Sequence, residues 1–453
     1  MRKKRISILL TLLTLLLLCV SLSFGTVGAA TYEPENVKLK TKAVGLYNLD
    51  TDSPVFTLNA DTKMYPASTT KIMTYIVVVE NIKDLENTKI TVKQSVLNSL
   101  LGTESSVAGL LDGEELTVMQ LLNLMMIPSG NDAAAVLCDY VGKGSEEKFV
   151  KMMNQTAKQL GCNSTHFANA HGLHDEKHYT TANDLYKMTK YAMTLPYFTE
   201  ITSKTSYELP KTNKSDEPRT VITTNKMLMS SEPDYFYQYA QGIKTGTTDE
   251  AGYCLVSSAI YNGSSYICVA LGAPSVDSNG NAVTKRRDMI DSANLYRWAF
   301  TKLALKTVAE KGSPVAELPL KYAWGKNNIL LSPEESLTTV LPVDVNPSSL
   351  MMDTNLPNDV SAPIHAGDIV GTATYSYAGQ KLGTVNLIAT EDISRNEVLV
   401  VLDVIWKVVS SPIFIIIASL VILLIIFYIV MAVRYNKKRK AMRKNKRYKT
   451  PRR

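Results

Sequence analysis

Two short runs of mostly apolar residues, Ala43–Asn48 and Pro54–Leu58, flank the turn-forming Asp50-Thr51-Asp52-Ser53. That pattern predicts a β-hairpin. The pattern then changes. Ser68 to about Asn81, Thr117–Ile127 and Asp132–Val141 carry apolar residues at helical spacing. Strands return after Gly242, where Tyr253–Ile260 and Ser265–Leu271 flank Asn262-Gly263. Asn-Gly between apolar runs is the strongest short hairpin signal. Asp288–Leu303 reads as a helix again. Strands at both ends of this stretch, with helices between, predict one sheet assembled from two ends of the chain and a helical insertion. After Lys311-Gly312-Ser313-Pro314 the pattern becomes short strands broken by Pro, Gly and Asn as far as about Ile393. That predicts a separate all-β domain.

Two apolar runs frame this body. Ile6–Val20 follows the basic Arg2-Lys3-Lys4-Arg5 and precedes small residues through Ala30, as in a secretory signal peptide. Pro412–Val433 carries no charge. As a helix it spans about 33 Å, enough to cross a bilayer. Basic residues from Arg434 onward follow it, which predicts a cytoplasmic tail on anionic lipid and a body outside the cell. The expected organisation is signal peptide 1–30, main domain 31–305, β domain 306–395, linker 396–411, transmembrane helix 412–433 and basic tail 434–453.

Charge supports this division. The chain of 453 residues has a formal net charge of +7. Four positive charges lie in the first five residues and twelve in the last twenty, so the body is acidic. A nucleic-acid-binding body is disfavoured. After the leader, Cys138, Cys162, Cys254 and Cys268 remain, with no metal-binding spacing. They read as small buried hydrophobes, although an even number outside the cell permits disulfides.

Three short patterns carry candidate chemistry. In Ser68-Thr69-Thr70-Lys71, residues three apart share a helix face, so the Lys71 amine reaches the Ser68 hydroxyl. Lys71 removes that proton only when neutral, which requires burial or a nearby cation. About two such patterns are expected by chance in a chain this long. Ser145-Glu146-Glu147-Lys148 is a second one, and its charged surroundings read as solvated surface. Ser129-Gly130-Asn131 offers a hydroxyl for proton relay and an amide for a substrate carbonyl. It also reads as a plain turn, and Ser292-Ala293-Asn294 and Ser394-Arg395-Asn396 share the spacing. Lys244-Thr245-Gly246-Thr247 occurs once. Lys244 supplies a cation, and Gly246 is expected to let a substrate approach the strand.

In this order the three patterns resemble the serine penicillin-recognising enzymes. Phe167-Ala-Asn-Ala-His-Gly-Leu173, Thr180-Thr-Ala-Asn-Asp-Leu185 and Gly242-Ile-Lys-Thr-Gly-Thr-Thr248 are similar to one branch. That branch is the D-alanyl-D-alanine carboxypeptidases among low-molecular-weight penicillin-binding proteins. Ala362-Pro-Ile-His-Ala-Gly-Asp-Ile-Val-Gly371 looks like that branch's C-terminal β domain. The resemblance implies an α/β (α+β) penicillin-binding/β-lactamase-like transpeptidase domain with an inserted helical part, then a small all-β domain and a C-terminal transmembrane helix. It implies Ser68 as acylated nucleophile, Lys71 as general base, and Ser129 and Asn131 in proton transfer and substrate holding. Lys244, Thr245, Gly246 and Thr247 would line the substrate site, with oxyanion donors at the Ser68 and Thr247 N–H groups. Arg287 would serve the carboxylate site, with Arg286 as its competitor. Peptidoglycan stem peptides and β-lactams are the implied partners, and no metal or organic cofactor is implied. Gly130 stands where a class A β-lactamase carries Asp, and no E-x-x-L-N follows. Rapid β-lactam hydrolysis is therefore not expected.

Two other readings stand beside this one. His166, His171, His174 and His178 fall within thirteen residues at ligand-compatible spacing, which offers a zinc peptidase. A membrane-tethered wall-binding protein that has lost its chemistry is the third.

Overall fold

The computed structural model describes residues 31–447 except Glu104 and Ser278. The expected signal peptide and the last six residues of the tail lie outside the described residues. Two compact units emerge. The first runs to Val308 and adds 337–352 and 374–384. The second comprises 309–336, 353–373 and the chain from Val385 onward.

The first unit is built on a five-stranded antiparallel sheet of β1 (Ala43–Asn48), β2 (Ser53–Leu58), β3 (Ala240–Thr248), β4 (Gly252–Tyr261) and β5 (Ser264–Ala273). Their spatial order is β2-β1-β5-β4-β3. β1 pairs with β5 through Gly45↔Val269, so the two ends of the domain meet in mid-sheet as expected. The β4–β5 turn has φ of 48° at Asn262 and 75° at Gly263. Both positive values suit the twist of a two-residue hairpin.

β5 lies at the centre of the sheet and is buried on both faces, which explains its nearly unbroken apolar run. Tyr266 and Cys268 face one cluster, with Met289, Tyr296 and Trp298 of the helix Arg287–Lys302. Ile267, Val269 and Leu271 face the other, with the inserted helices. Those helices are α1 (Lys71–Asn81), α2 (Val118–Met126), α3 (Asn131–Val141), α4 (Glu146–Gln159) and α5 (Ala182–Ala192); the helix Arg287–Lys302 is α6. All of Lys71–Val78 is buried, so α1 is a central helix.

Two helices go beyond the sequence pattern. The chance motif at Ser145 starts α4: its hydroxyl accepts from Lys148 N, and Phe149, Met153 and Ala157 are buried behind it. The charged first turn obscured that amphipathic face. Thr181 caps α5 in the same way, accepting from Asp184 N. Both helices open with the side-chain-to-backbone bond that satisfies free N–H groups.

The second unit also carries strands. Ala316–Lys321 pairs antiparallel with Asn328–Pro333, whose Leu331 faces Ala389. Val360–Ser361 pairs in parallel with Leu320–Lys321. Leu318, Leu320, Ile329, Leu331 and Leu387 are buried. The segment expected to be a linker is helical instead. Glu397–Val409 forms a helix capped by Asn396, whose side chain accepts from Leu399 N. Asn396 is thus a helix cap, not part of a catalytic pattern. The helix Pro412–Arg447 follows, apolar and exposed over its first two-thirds. Its length and composition suit a membrane anchor.

Asp291 of α6 ties the sheet's entry to this scaffold. Its buried Oδ2 accepts from Lys40 N, Thr41 N and Thr41 Oγ1 at 2.8–2.9 Å. Asp291→Ala orphans three donors together. We expect a loss of about 3 kcal/mol of unfolding free energy, read by denaturant titration. A change within 0.5 kcal/mol, the usual range for a neutral surface substitution, would show that water replaces the carboxylate freely.

Candidate active site

Ser68 sits in a 3-10 turn, Ala67–Thr70, ahead of α1 and not in the first turn of the α-helix. The turn is tightly held. Thr69 Oγ1 and Thr70 Oγ1 donate to Pro66 O and Ala67 O, both at 2.7 Å. Ala67 has φ of 48°, the left-handed region that costs a residue with a Cβ. Two glycines press on this turn. A Cβ on Gly172 would stand 2.0 Å from Ala67 O, and one on Gly246 would stand 2.9 Å from Ser68 N. The glycine of Lys244-Thr-Gly therefore serves the approach of β3 to the serine turn, a closer demand than the substrate approach expected from sequence.

Lys71 opens α1 one turn beyond Ser68 and is fully buried. Its Nζ lies 2.9 Å from Ser68 Oγ, 2.5 Å from Asn131 Oδ1, 2.9 Å from His171 O and 3.5 Å from Ser129 Oγ. Burial, then the charge of Lys244, holds its pKa well below the usual lysine range, against an opposing pull from Asp132. An amine shifted this way is available as a base, and a hydroxyl at 2.9 Å is within its reach.

Ser129 and Asn131 come from the break between α2 and α3, where Ser129 has φ of 66°. Asp132, one residue on, is buried and accepts from Ala108 N at 2.8 Å and Leu110 N at 3.1 Å. It thereby fixes the loop that runs along the cleft. Gly130 has a steric reason to be glycine. A Cβ there would lie 2.8 Å from both Asp132 Oδ1 and Leu124 O. An aspartate at this position has no room.

On the opposite wall, Lys244 of β3 is also buried, and its Nζ donates to Thr245 O at 2.9 Å. Burial, then the charge of Arg286, pushes its pKa down to about 7. Thr245 Oγ1 lies 2.5 Å from Thr224 Oγ1. The cleft between the walls has a volume of about 750 Å³, and Ser68, Ser129, Asn131, Thr245, Gly246 and Thr247 all line it. Arg286 lines it as well, where sequence pointed to Arg287. Asp288 aligns the Arg286 guanidinium through two bonds, 3.0 Å from Nε and 2.6 Å from Nη2, over the Tyr253 ring. Arg287 begins α6, and one residue of helix turns a side chain by about 100°.

The histidines are engaged separately. The Lys71 contact is the His171 carbonyl, while the half-buried His171 ring, its pKa lowered to about 3 by desolvation, receives Leu173 N. His178 meets Thr70 Oγ1 and Ala168 N, and His166 meets Lys177 O. Among the described residues no three His, Cys, Asp or Glu side chains converge as a metal site. Among the described residues, Cys138, Cys162, Cys254 and Cys268 are buried free thiols. His171, Gly172, Asp132 and Thr224 were missed as site residues. Phe167–Leu173 was visible as a motif, but a backbone carbonyl leaves no residue-type signal.

A family profile for D-alanyl-D-alanine carboxypeptidases matches residues 30–275. The chain belongs to the D-alanyl-D-alanine carboxypeptidase family. A profile for the C-terminal domain of penicillin-binding protein 5 matches residues 304–395. D-alanyl-D-alanine carboxypeptidase DacF of Bacillus subtilis is 30% identical over 79% of this chain and 86% of its own. Penicillin-binding protein 5 of Haemophilus influenzae superposes with a TM-score of 0.62 at 26% identity, covering 79% of this chain and 98% of that one. The Streptomyces K15 DD-transpeptidase gives 0.52 at 30% identity, over 58% and 98%. Serine-type D-Ala-D-Ala carboxypeptidase activity follows from family membership, and covalent penicillin binding is typical of the family.

Gly172→Ala forces the added methyl against Ala67 O. We expect labelling by fluorescent penicillin to slow at least tenfold, a barrier increase of about 1.4 kcal/mol. Labelling at the wild-type rate would show that the serine turn yields without consequence.

Proposed function

We propose that this chain removes the terminal D-alanine of peptidoglycan stem peptides through an acyl-enzyme on Ser68. The observation that carries this reading is the buried Lys71 amine, 2.9 Å from Ser68 Oγ and shielded from bulk water. Lys71 Nζ takes the Ser68 proton as Oγ attacks the penultimate D-alanine carbonyl. The N–H groups of Ser68 and Thr247 receive the developing oxyanion. Collapse breaks the peptide bond, and the leaving amine takes a proton from Lys71 through Ser129. Asn131 holds both the Lys71 amine and the acyl-side amide. Water then hydrolyses the ester: Lys71 accepts the water's proton and returns it to Ser68 Oγ as the ester bond breaks.

Lys244, Thr245 and Arg286 receive the terminal carboxylate. Two cations at one wall favour an anion, and Thr245 adds a hydroxyl held by Thr224. Arg286 replaces Arg287 in this role because it lines the cleft. We further propose that Pro412–Val433 spans the cytoplasmic membrane once, leaves the catalytic unit outside and places the basic tail on anionic lipid inside. The supporting features are the charge-free stretch and the cations that follow it.

The full chain in detergent, treated with fluorescent penicillin, is expected to gain one adduct on the Ser68 peptide, unaffected by chelator. Ser68→Ala should give none, and Lys71→Ala should slow acylation by about a hundredfold or more. An adduct in the Ser68 variant, or loss of labelling with chelator, would overturn the reading.

Acylation of the free protein also has a defined pH dependence. It rises as Lys71 loses its proton, and it falls as Lys244 is neutralised above about pH 7. Lys244→Arg keeps the cation at all accessible pH, so the alkaline limb should vanish even if the maximal rate drops. Persistence of that limb would assign it to another group.

A further inference from the structure

The first unit has a second concave site at the far end of β3 from the Lys244 segment. Phe236, Gln238 and Tyr239 precede β3, Tyr261 ends β4, and Arg297 and Phe300 come from the last turns of α6. Together they line a pocket of about 430 Å³. The Tyr239 and Tyr261 rings lie 4.3 Å apart at 39°, and Phe300 meets Tyr261 edge-on at 5.6 Å. These three rings are half-buried and Phe236 is exposed. Arg297 lies over Tyr237 at 5.4 Å, and its hydrogen bond goes to Asn294. Among the described residues it forms no ion pair. The proposed catalytic roles use none of these side chains.

We propose that this pocket binds a glycan segment, specifically the amino-sugar strand that carries the stem peptides. Sugar rings present C–H faces that pack on aromatic rings, while their hydroxyl and acetamido groups need directional donors at the edge. Half-buried aromatic rings rimmed by Arg297 and Gln238 supply both. The guanidinium disfavours a quaternary ammonium guest, which an all-aromatic cage would otherwise admit. Position favours the same occupant. Tyr239 lies six residues before Thr245, about 20 Å along the strand. An extended stem peptide has a comparable length, so the proposal requires one substrate to bridge cleft and pocket. The assignment rests on the proposed wall-peptide substrate, but binding here does not require turnover.

The test uses the full chain in lauryldimethylamine oxide, a detergent without sugar groups. N-acetylchitotetraose is titrated and followed by calorimetry. Saturable binding is expected. Tyr261→Ala and Arg297→Ala should weaken it at least fivefold, and Tyr261→Phe, which keeps the ring, should retain it. Both weakened variants should react with penicillin at the wild-type rate and cleave a soluble pentapeptide normally, yet lose activity several-fold on glycan-linked peptide. No saturable binding by the wild type, or wild-type affinity in both Tyr261→Ala and Arg297→Ala, overturns the proposal. Failure of penicillin acylation in the wild type would instead strike the Ser68 mechanism and leave the glycan titration to stand by itself.

Discussion

Burial of one amine organises the catalytic unit. Lys71 Nζ is withdrawn from water and held among Ser68 Oγ, Asn131 Oδ1 and His171 O. A charged ammonium in that position is costly to desolvate, and Lys244 opposes it further. Asp132 pulls the other way without touching the amine. The result is a base kept ready by the packing of α1, not by a dedicated acid–base partner. Its neighbours come from the 3-10 turn before α1, the α2–α3 junction and the loop before α5, so a base of this kind needs the whole inserted helical part.

The same constraint accounts for the glycines. Ser68 must stand on a turn that touches both the His171–Gly172 backbone and β3. There is no space for a Cβ at Gly172, and almost none at Gly246. The wall-to-wall distance is therefore set by backbone against backbone. Such contacts deform less readily than side-chain contacts, and they hold reacting groups within the tolerance that catalysis demands. Gly130 shows the same economy of space beside Asp132.

Much of this was legible in residue types. Ser68, Lys71, Ser129, Asn131, Lys244 and Thr245 are side chains whose spacing carries chemistry, and the structure brings all six to one cleft and its walls. The Asn262-Gly263 hairpin was legible because φ above zero at two adjacent positions has few sequence solutions. What stayed hidden was of two kinds. The His171 carbonyl acts through the backbone, so its residue type is uninformative. Arg286 and Arg287 are adjacent and identical in type, and only the start of α6 decides which one turns to the cleft. The helix Glu397–Val409 read as a linker because only Glu397, Asp403 and Lys407 interrupt its apolar run, too few polar residues to mark a helical period plainly.

Ser145 and Ser68 make the sharpest comparison. Both stand three residues before a lysine, and both lie next to the start of a helix. At Ser145 the hydroxyl is used up as a cap for Lys148 N, and the Lys148 side chain points into solvent. At Ser68 no side chain caps the 3-10 turn, and the Thr69 and Thr70 hydroxyls donate to carbonyls at its start. The Ser68 hydroxyl is left with the Lys71 amine at 2.9 Å and only a long approach, 3.4 Å, to His171 O. The two threonines inside the motif thus have a physical task. They brace the turn by donating to its carbonyls, beside a serine whose side chain caps no helix.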